Sequence, residues 1–135
     1  MKAAIIGIVS GIVTIIIFVA LKRIDKNIIY GMILACIGFI YVGFTWSDFG
    51  QLSVTVLQAI FFLFLAYYGI KKNSNVLIAG YFLHGIWDLI YSYVTNSSLM
   101  PPDYDLFCLT IDFVIGFYLL YLNYRSGLKV NYNSK

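Results

Sequence analysis

The chain contains no glutamate, and its six acidic residues are all aspartate. It holds one histidine, two cysteines and two prolines in 135 residues. Each scarcity excludes something. Charged residues make up 11% of the chain, against roughly 25% in soluble domains. A surface facing water on all sides cannot be built from that. Cys36 and Cys108 both lie in apolar runs, without a C-x-x-C or a Cys/His ligand spacing. That leaves no support for a disulfide framework or a zinc finger. There is no phosphate loop, nucleotide motif or basic nucleic-acid patch, so nucleic acid is not an expected partner.

What is present is apolar surface. Hydrophobic residues form 61% of the chain, an extent that calls for a lipid bilayer around it. The apolar residues fall into five segments, at about 3–21, 28–46, 52–70, 76–94 and 104–122. Each spans about 30 Å as a helix, the thickness of a hydrocarbon core. Transmembrane β-strands would be half as long and would alternate. The gaps carry helix-start residues: Asp25 and Asn27, Ser47 and Asp48, Ser74 and Asn75, then Pro101, Pro102 and Asp103. The expected fold is therefore all-α, a single transmembrane domain over 1–135 with five spanning helices. The first segment is read as a helix and not a signal peptide, since its apolar part is too long and lacks a cleavage pattern.

Basic residues set the orientation. Lys22, Arg23 and Lys26, then Lys71 and Lys72, then Arg125, Lys129 and Lys135 all fall on one side of the alternating spans. Only Lys2 falls on the other. This predicts an outside N-terminus, a cytoplasmic C-terminus and a multi-pass protein of the cell membrane. Ala3, Gly7 and Gly11 sit four apart on the first helix, a spacing that lets two helix backbones approach. We expect that stripe to pack within the bundle, although a homo-oligomer is compatible with it. The second helix, poor in polar groups apart from Tyr41 and Thr45, is expected to face lipid. Trp46, Tyr30 and Tyr124 fit an interfacial aromatic belt. A glycosylation sequon at 96–98 lies so close to the membrane that chance explains it best.

Against this background three ionisable residues stand out. His84 and Asp88 lie in the fourth segment and Asp112 in the fifth. A charge at mid-membrane costs at least ~2.5 kcal/mol on insertion scales, so each needs a reason. From the outer helix ends, Asp88 lies about 9 Å deep, Asp112 about 12 Å and His84 about 15 Å. A short connection makes the two helices antiparallel neighbours, so the three groups can meet. His84 and Asp88 share a helix face at i,i+4 spacing, extended by Tyr81 and Tyr91. Tyr104, Cys108 and Asp112 form a second stripe at the same spacing. The expected site is a cleft opening outward, with Tyr104 at its mouth, Cys108 below and the Asp–His–Asp cluster deepest. Trp87 and Gln58 are candidate lining residues, and Thr55, Ser10 and Thr14 lesser ones.

Two carboxylates beside one imidazole permit several chemistries. One Asp can pair with His84 while the other, taken out of water, holds a proton, which makes an acid/base pair or a proton relay. The same set is also one that a divalent metal accepts with a position left open. A hydrolytic Cys108 nucleophile lacks any surrounding motif. The segment His84-Gly85-Ile86-Trp87-Asp88, followed by Pro101 or Pro102, Tyr104, Cys108 and Asp112, resembles a pattern in small bacterial multi-spanning proteins. That pattern is H-G-x-W-D, then P-x-x-Y-x-x-x-C-x-x-x-D. The resemblance covers the last two helices and implies a membrane protein with a shared polar site; it supplies no reaction. Where that family carries a further His after the Trp-Asp pair, this chain has Leu89, Ile90, Tyr91 and Ser92. No metal is therefore assigned at this stage, and no cofactor is named.

Three functions fit. The first is a membrane-embedded binding protein or enzyme for a lipidic or isoprenoid-like molecule, with His84, Asp88 and Asp112 reactive and Tyr81, Trp87, Tyr91, Tyr104, Cys108 and Gln58 binding. The second is a small oligomeric proton-linked transporter or channel. The third is a structural or accessory membrane subunit whose polar residues fix packing.

Overall fold

The computed structural model describes residues 1–21, 25–94 and 100–133, with side chains in the last helix followed as far as Arg125. Lys22, Arg23, the sequon at 96–98 and Lys135 lie outside the described residues. The described chain is helical throughout: α1 (Lys2–Ala20), α2 (Lys26–Phe44), α3 (Phe49–Lys71), α4 (Ser74–Val94) and α5 (Tyr104–Asn133). In lipid, a helix satisfies all its backbone groups within one segment. Four of the five, α1, α2, α3 and α5, are long and apolar enough to cross a membrane. α4 has 21 residues, so length is not its deficit. It carries Ser74, Asn75, His84, Asp88 and Ser92, which bring its mean hydropathy down.

Helix starts follow the expected side-chain chemistry in two of the four cases. Asp25 accepts from the Asn27 amide at 2.8 Å, and Asp48 from the Gln51 amide at 3.1 Å. At α4 it is Asn73 that accepts, from the Asn75 amide at 2.9 Å, while Ser74 already belongs to the helix. Asp103 enters α5 with φ 60°, the left-handed region that Asp tolerates better than most residues.

α2, α3 and α4 pack on one another, α5 packs on α4, and α1 packs on α5. Glycines set the close approaches. A Cβ at Gly7 would overlap the Thr110 side chain and the Phe107 carbonyl, and one at Gly11 would crowd Val114. The small-residue stripe of α1 is thus spent inside the bundle, against α5. The rest of α1 is mostly exposed, including Ile5, Val9, Ile12 and Ile16.

α2 departs from expectation. Its buried stripe of Tyr30, Gly31, Leu34, Gly38 and Tyr41 makes it a core helix, and α1 is the helix that leaves most of its surface exposed. Tyr30 is fully buried and is not part of a belt, whereas Trp46 and Tyr124 are exposed. The reason is crowding: the two glycines of that stripe let α3 approach, with Gly31 against Ile70 and Gly38 against Phe62.

The core divides along the helix axes. Toward the α4 start, Tyr30, Leu34, Ala66, Leu77, Ile78, Ile115 and Leu119 form one apolar cluster with Tyr81. Toward the α4 end, the buried side chains become polar: Thr45, Thr55, Gln58, His84, Asp88 and Asp112.

Candidate functional site

The site is assembled from three helices. α4 supplies His84 and Asp88 one turn apart, α5 supplies Asp112, and α2 supplies Tyr41. All three ionisable residues are at most 1% exposed. His84 Nδ1 lies 2.8 Å from Asp112 Oδ2 and 3.5 Å from Asp88 Oδ2. The shorter contact is a hydrogen bond between α4 and α5. The Tyr41 hydroxyl donates to Asp88 Oδ1 at 2.7 Å, which ties α2 to α4. One ligand-type atom from each of His84, Asp88 and Asp112 lies within 4.8 Å of the other two. Among the described residues, these are the only ion pairs. Asp88 Oδ2 and His84 Nε2 are buried without a hydrogen-bond partner.

A pocket of about 190 Å³ adjoins the cluster. His84 and Asp112 contribute its polar part. Ile37, Ile40 and Tyr41 line it from α2, and Tyr104, Phe107, Cys108 and Ile111 from α5. It fills the groove left where α2 packs on α3 and α4 while α5 packs on α4 and α1. Aromatic contacts bracket the groove. On one side of the pocket, Tyr104 meets Phe44 at 5.1 Å and Tyr41 at 6.3 Å between ring centroids. On the other, Tyr30 meets Tyr118 at 6.0 Å and Phe18 at 5.8 Å. Ile40 is 41% exposed, so the α2 wall also reaches the outer surface of the bundle.

The remaining expected site residues divide. Tyr104 and Cys108 line the pocket with Asp112. Tyr81 and Tyr91 are buried but bind protein groups: the Tyr81 hydroxyl donates to the Tyr30 carbonyl at 2.7 Å, and the Tyr91 hydroxyl to Gln51 Oε1 at 3.0 Å. Trp87 and Gln58 line a different groove, of about 450 Å³, between α3 and α4. With its amide turned to suit its neighbours, Gln58 donates to the Thr55 and Gly38 carbonyls, each at 3.3 Å. Thr45 and Thr55 share a hydrogen bond at 2.7 Å. Thr14 bonds back to the Ser10 carbonyl within α1.

Sequence reasoning missed Tyr41. The signal was there: Tyr41 lies five residues before Trp46, about 7.5 Å from that end, close to the depth of Asp88. Reading α2 as a lipid-facing helix hid it.

The fold and the cluster can now be set beside known proteins. Residues 2–126 match a family described as "Family of unknown function (DUF6010)". The chain belongs to the DUF6010 family. No curated protein and no solved structure matches it. The DUF6010 match takes in all of the cluster and every pocket-lining residue. Family membership brings no activity with it, so the chemistry has to come from the geometry.

Proposed function

We propose that this DUF6010 protein is a five-span membrane protein, N-terminus outside and C-terminus cytoplasmic, that takes the head of a lipidic or isoprenoid-like molecule against its buried His/Asp cluster. α4 is the fifth span: it packs between α3 and α5, both apolar enough to cross, and turns His84 and Asp88 inward. One observation carries the functional reading. The pocket between α2 and α5 has largely apolar and aromatic walls with His84 and Asp112 among its lining, the mixture typical of small-molecule sites. Its volume of about 190 Å³ holds roughly six water-sized groups. A whole lipid does not fit. A polar head does, with its chain running out along the groove past Ile40.

Proton transport gets less support. Beyond Asp112 toward the other end of the bundle come Ile115 and Leu119, packed with Leu77 and Leu34, a dry barrier. A structural role has a specific observation in its favour. Tyr41–Asp88 and His84–Asp112 together pin three helices. One experiment separates the two roles. The chain and its Asp88→Asn and Asp112→Asn variants, single and double, are purified in mild detergent. Co-purified lipid is read by mass spectrometry and the fold by thermal melting. A distinct lipid, depleted in variants that melt near the parent, supports the pocket. Variants that melt early with unchanged lipid support the clamp.

A further inference from the structure

We propose that His84, Asp88 and Asp112 bind a divalent metal ion, through His84 Nδ1 and one oxygen of each carboxylate, with an open position toward the pocket. The proposal shares the site of the reading above but needs no lipidic ligand.

Charge balance is the first argument. Two carboxylates and one imidazole are buried together, and among the described residues no Lys or Arg pairs with them. With both carboxylates ionised, an imidazolium still leaves one negative charge uncompensated. A buried charge without a partner is among the costliest features a fold can carry. A dication with a neutral imidazole brings the set to zero, as a proton on one carboxylate also does, so the choice between them falls to the geometry. Geometry is the second argument. Two donors on a tetrahedral ion with bonds of about 2.1 Å sit roughly 3.4 Å apart. Nδ1 lies 2.8 and 3.5 Å from the two carboxylate oxygens, and the three donors lie within 4.8 Å of one another, so side-chain shifts on the order of 1 Å form the site.

Asp88 Oδ2 supplies the third argument. It is buried, it points at the cluster, and it has no hydrogen bond. Its sister Oδ1 accepts from Tyr41 at 2.7 Å, the kind of outer contact that orients a ligating carboxylate. Metal on Nδ1 puts a hydrogen on Nε2, for which no oxygen or nitrogen acceptor is at hand. The Phe62 ring lies 4.6 Å from the imidazole at 63°, an arrangement compatible with an N–H···π contact. One imidazole and two carboxylates suit a borderline ion, so zinc is the probe.

The full chain in detergent is stripped with a chelator and dialysed against zinc, and metal is counted by plasma mass spectrometry. The expected result is about one zinc per chain. Asp112→Asn should weaken binding more than about 100-fold, beyond the loss typical of an outer-shell partner, whereas Cys108→Ser should leave it unchanged. Because His84 is the only histidine, imidazole nitrogen-15 NMR on the unsubstituted chain gives a second readout that no variant's misfolding can spoil. Zinc should move the Nδ1 resonance most. A folded chain that takes up no zinc, uptake retained by the Asp88→Asn, Asp112→Asn double variant, or unmoved imidazole resonances would overturn the proposal. Zinc bound without any co-purified lipid would remove the ligand reading and leave this one standing.

Discussion

The two halves of the bundle hold together by different means. Around Tyr30, Leu34, Leu77, Ile78, Ile115 and Leu119 the helices meet through side-chain packing. Of two buried hydroxyls there, that of Tyr81 is satisfied by the Tyr30 carbonyl and that of Tyr30 has no hydrogen-bond partner. Around His84 they meet through directed polar contacts among α2, α4 and α5. Within a bilayer the two are not equivalent. Lipid tails are as apolar as Leu, so packing succeeds by fit, while a polar group without a partner has no water to fall back on. Among the described residues, the packed half holds one buried polar atom without a hydrogen-bond partner, the Tyr30 hydroxyl. Toward the polar end there are three such atoms, His84 Nε2, Asp88 Oδ2 and Trp87 Nε1, and two of them belong to the cluster. What distinguishes the polar half is that its cluster's unpartnered atoms sit on ionisable side chains beside a second carboxylate.

The sharpest way to break this contrast is His84→Ala. It leaves Asp88 and Asp112 facing each other without the imidazole. We expect a loss of about 3–5 kcal/mol, the scale for removing one partner of a buried charged pair, read by denaturant unfolding in mixed micelles. A loss below about 1 kcal/mol would mean that the cluster contributes little to holding α4 to α5.

Leu34→Ala tests the other half. Leu34 is fully buried and packs where Gly80 lets α4 come close. The expected cost is about 2–5 kcal/mol. Zinc uptake and co-purified lipid should stay at parent levels, because no pocket or cluster residue is touched. If they fall in proportion to stability, the halves are not separable.

Much of the fold could be read in the sequence, because few solutions exist for such a chain in lipid. Five apolar runs separated by Asp, Asn, Ser and Pro leave little choice but five helices, and Asp25 and Asp48 cap as expected. The meeting of His84, Asp88 and Asp112 followed from rise per residue, i,i+4 spacing and the short connection that makes the two helices neighbours. Lateral packing was harder. Depth is encoded in one dimension, but which face of α2 turns inward depends on the glycines of two helices together. Gly31 and Gly38 bring α3 onto the stripe that holds Tyr41, and a hydropathy profile does not register that. Trp87 and Gln58 were assigned to the cleft for a related reason. Membrane depth cannot say whether a residue faces α3 or α5, and these two line the α3–α4 groove.

Tyr41→Phe separates the site from its support. The phenyl ring keeps the edge contacts with Tyr91 and Tyr104 and removes only the donor to Asp88 Oδ1. A buried carboxylate oxygen is then left unpaired, at about 1–3 kcal/mol. If Tyr41 orients Asp88 toward a bound ion, zinc affinity should also fall, by about 10–100-fold. Stability loss with unchanged zinc affinity would make Tyr41 a tie between α2 and α4 and nothing more.

The smallest effect is expected at Thr45→Val. The Thr45 and Thr55 hydroxyls join α2 to α3 at the polar end, 2.7 Å apart, and each also lies within hydrogen-bond reach of a nearby backbone carbonyl, so two protons are shared among three contacts. Removing the Thr45 hydroxyl therefore leaves Thr55 with a partner, the Leu52 carbonyl. Interhelical hydrogen bonds in membranes average about 0.6 kcal/mol, and we expect no more here, measured by unfolding beside the parent. Zinc and lipid should be unaffected, since neither threonine touches the cluster. A loss well above 1 kcal/mol would place the threonine pair, and not the His/Asp cluster, at the centre of what holds the polar half closed.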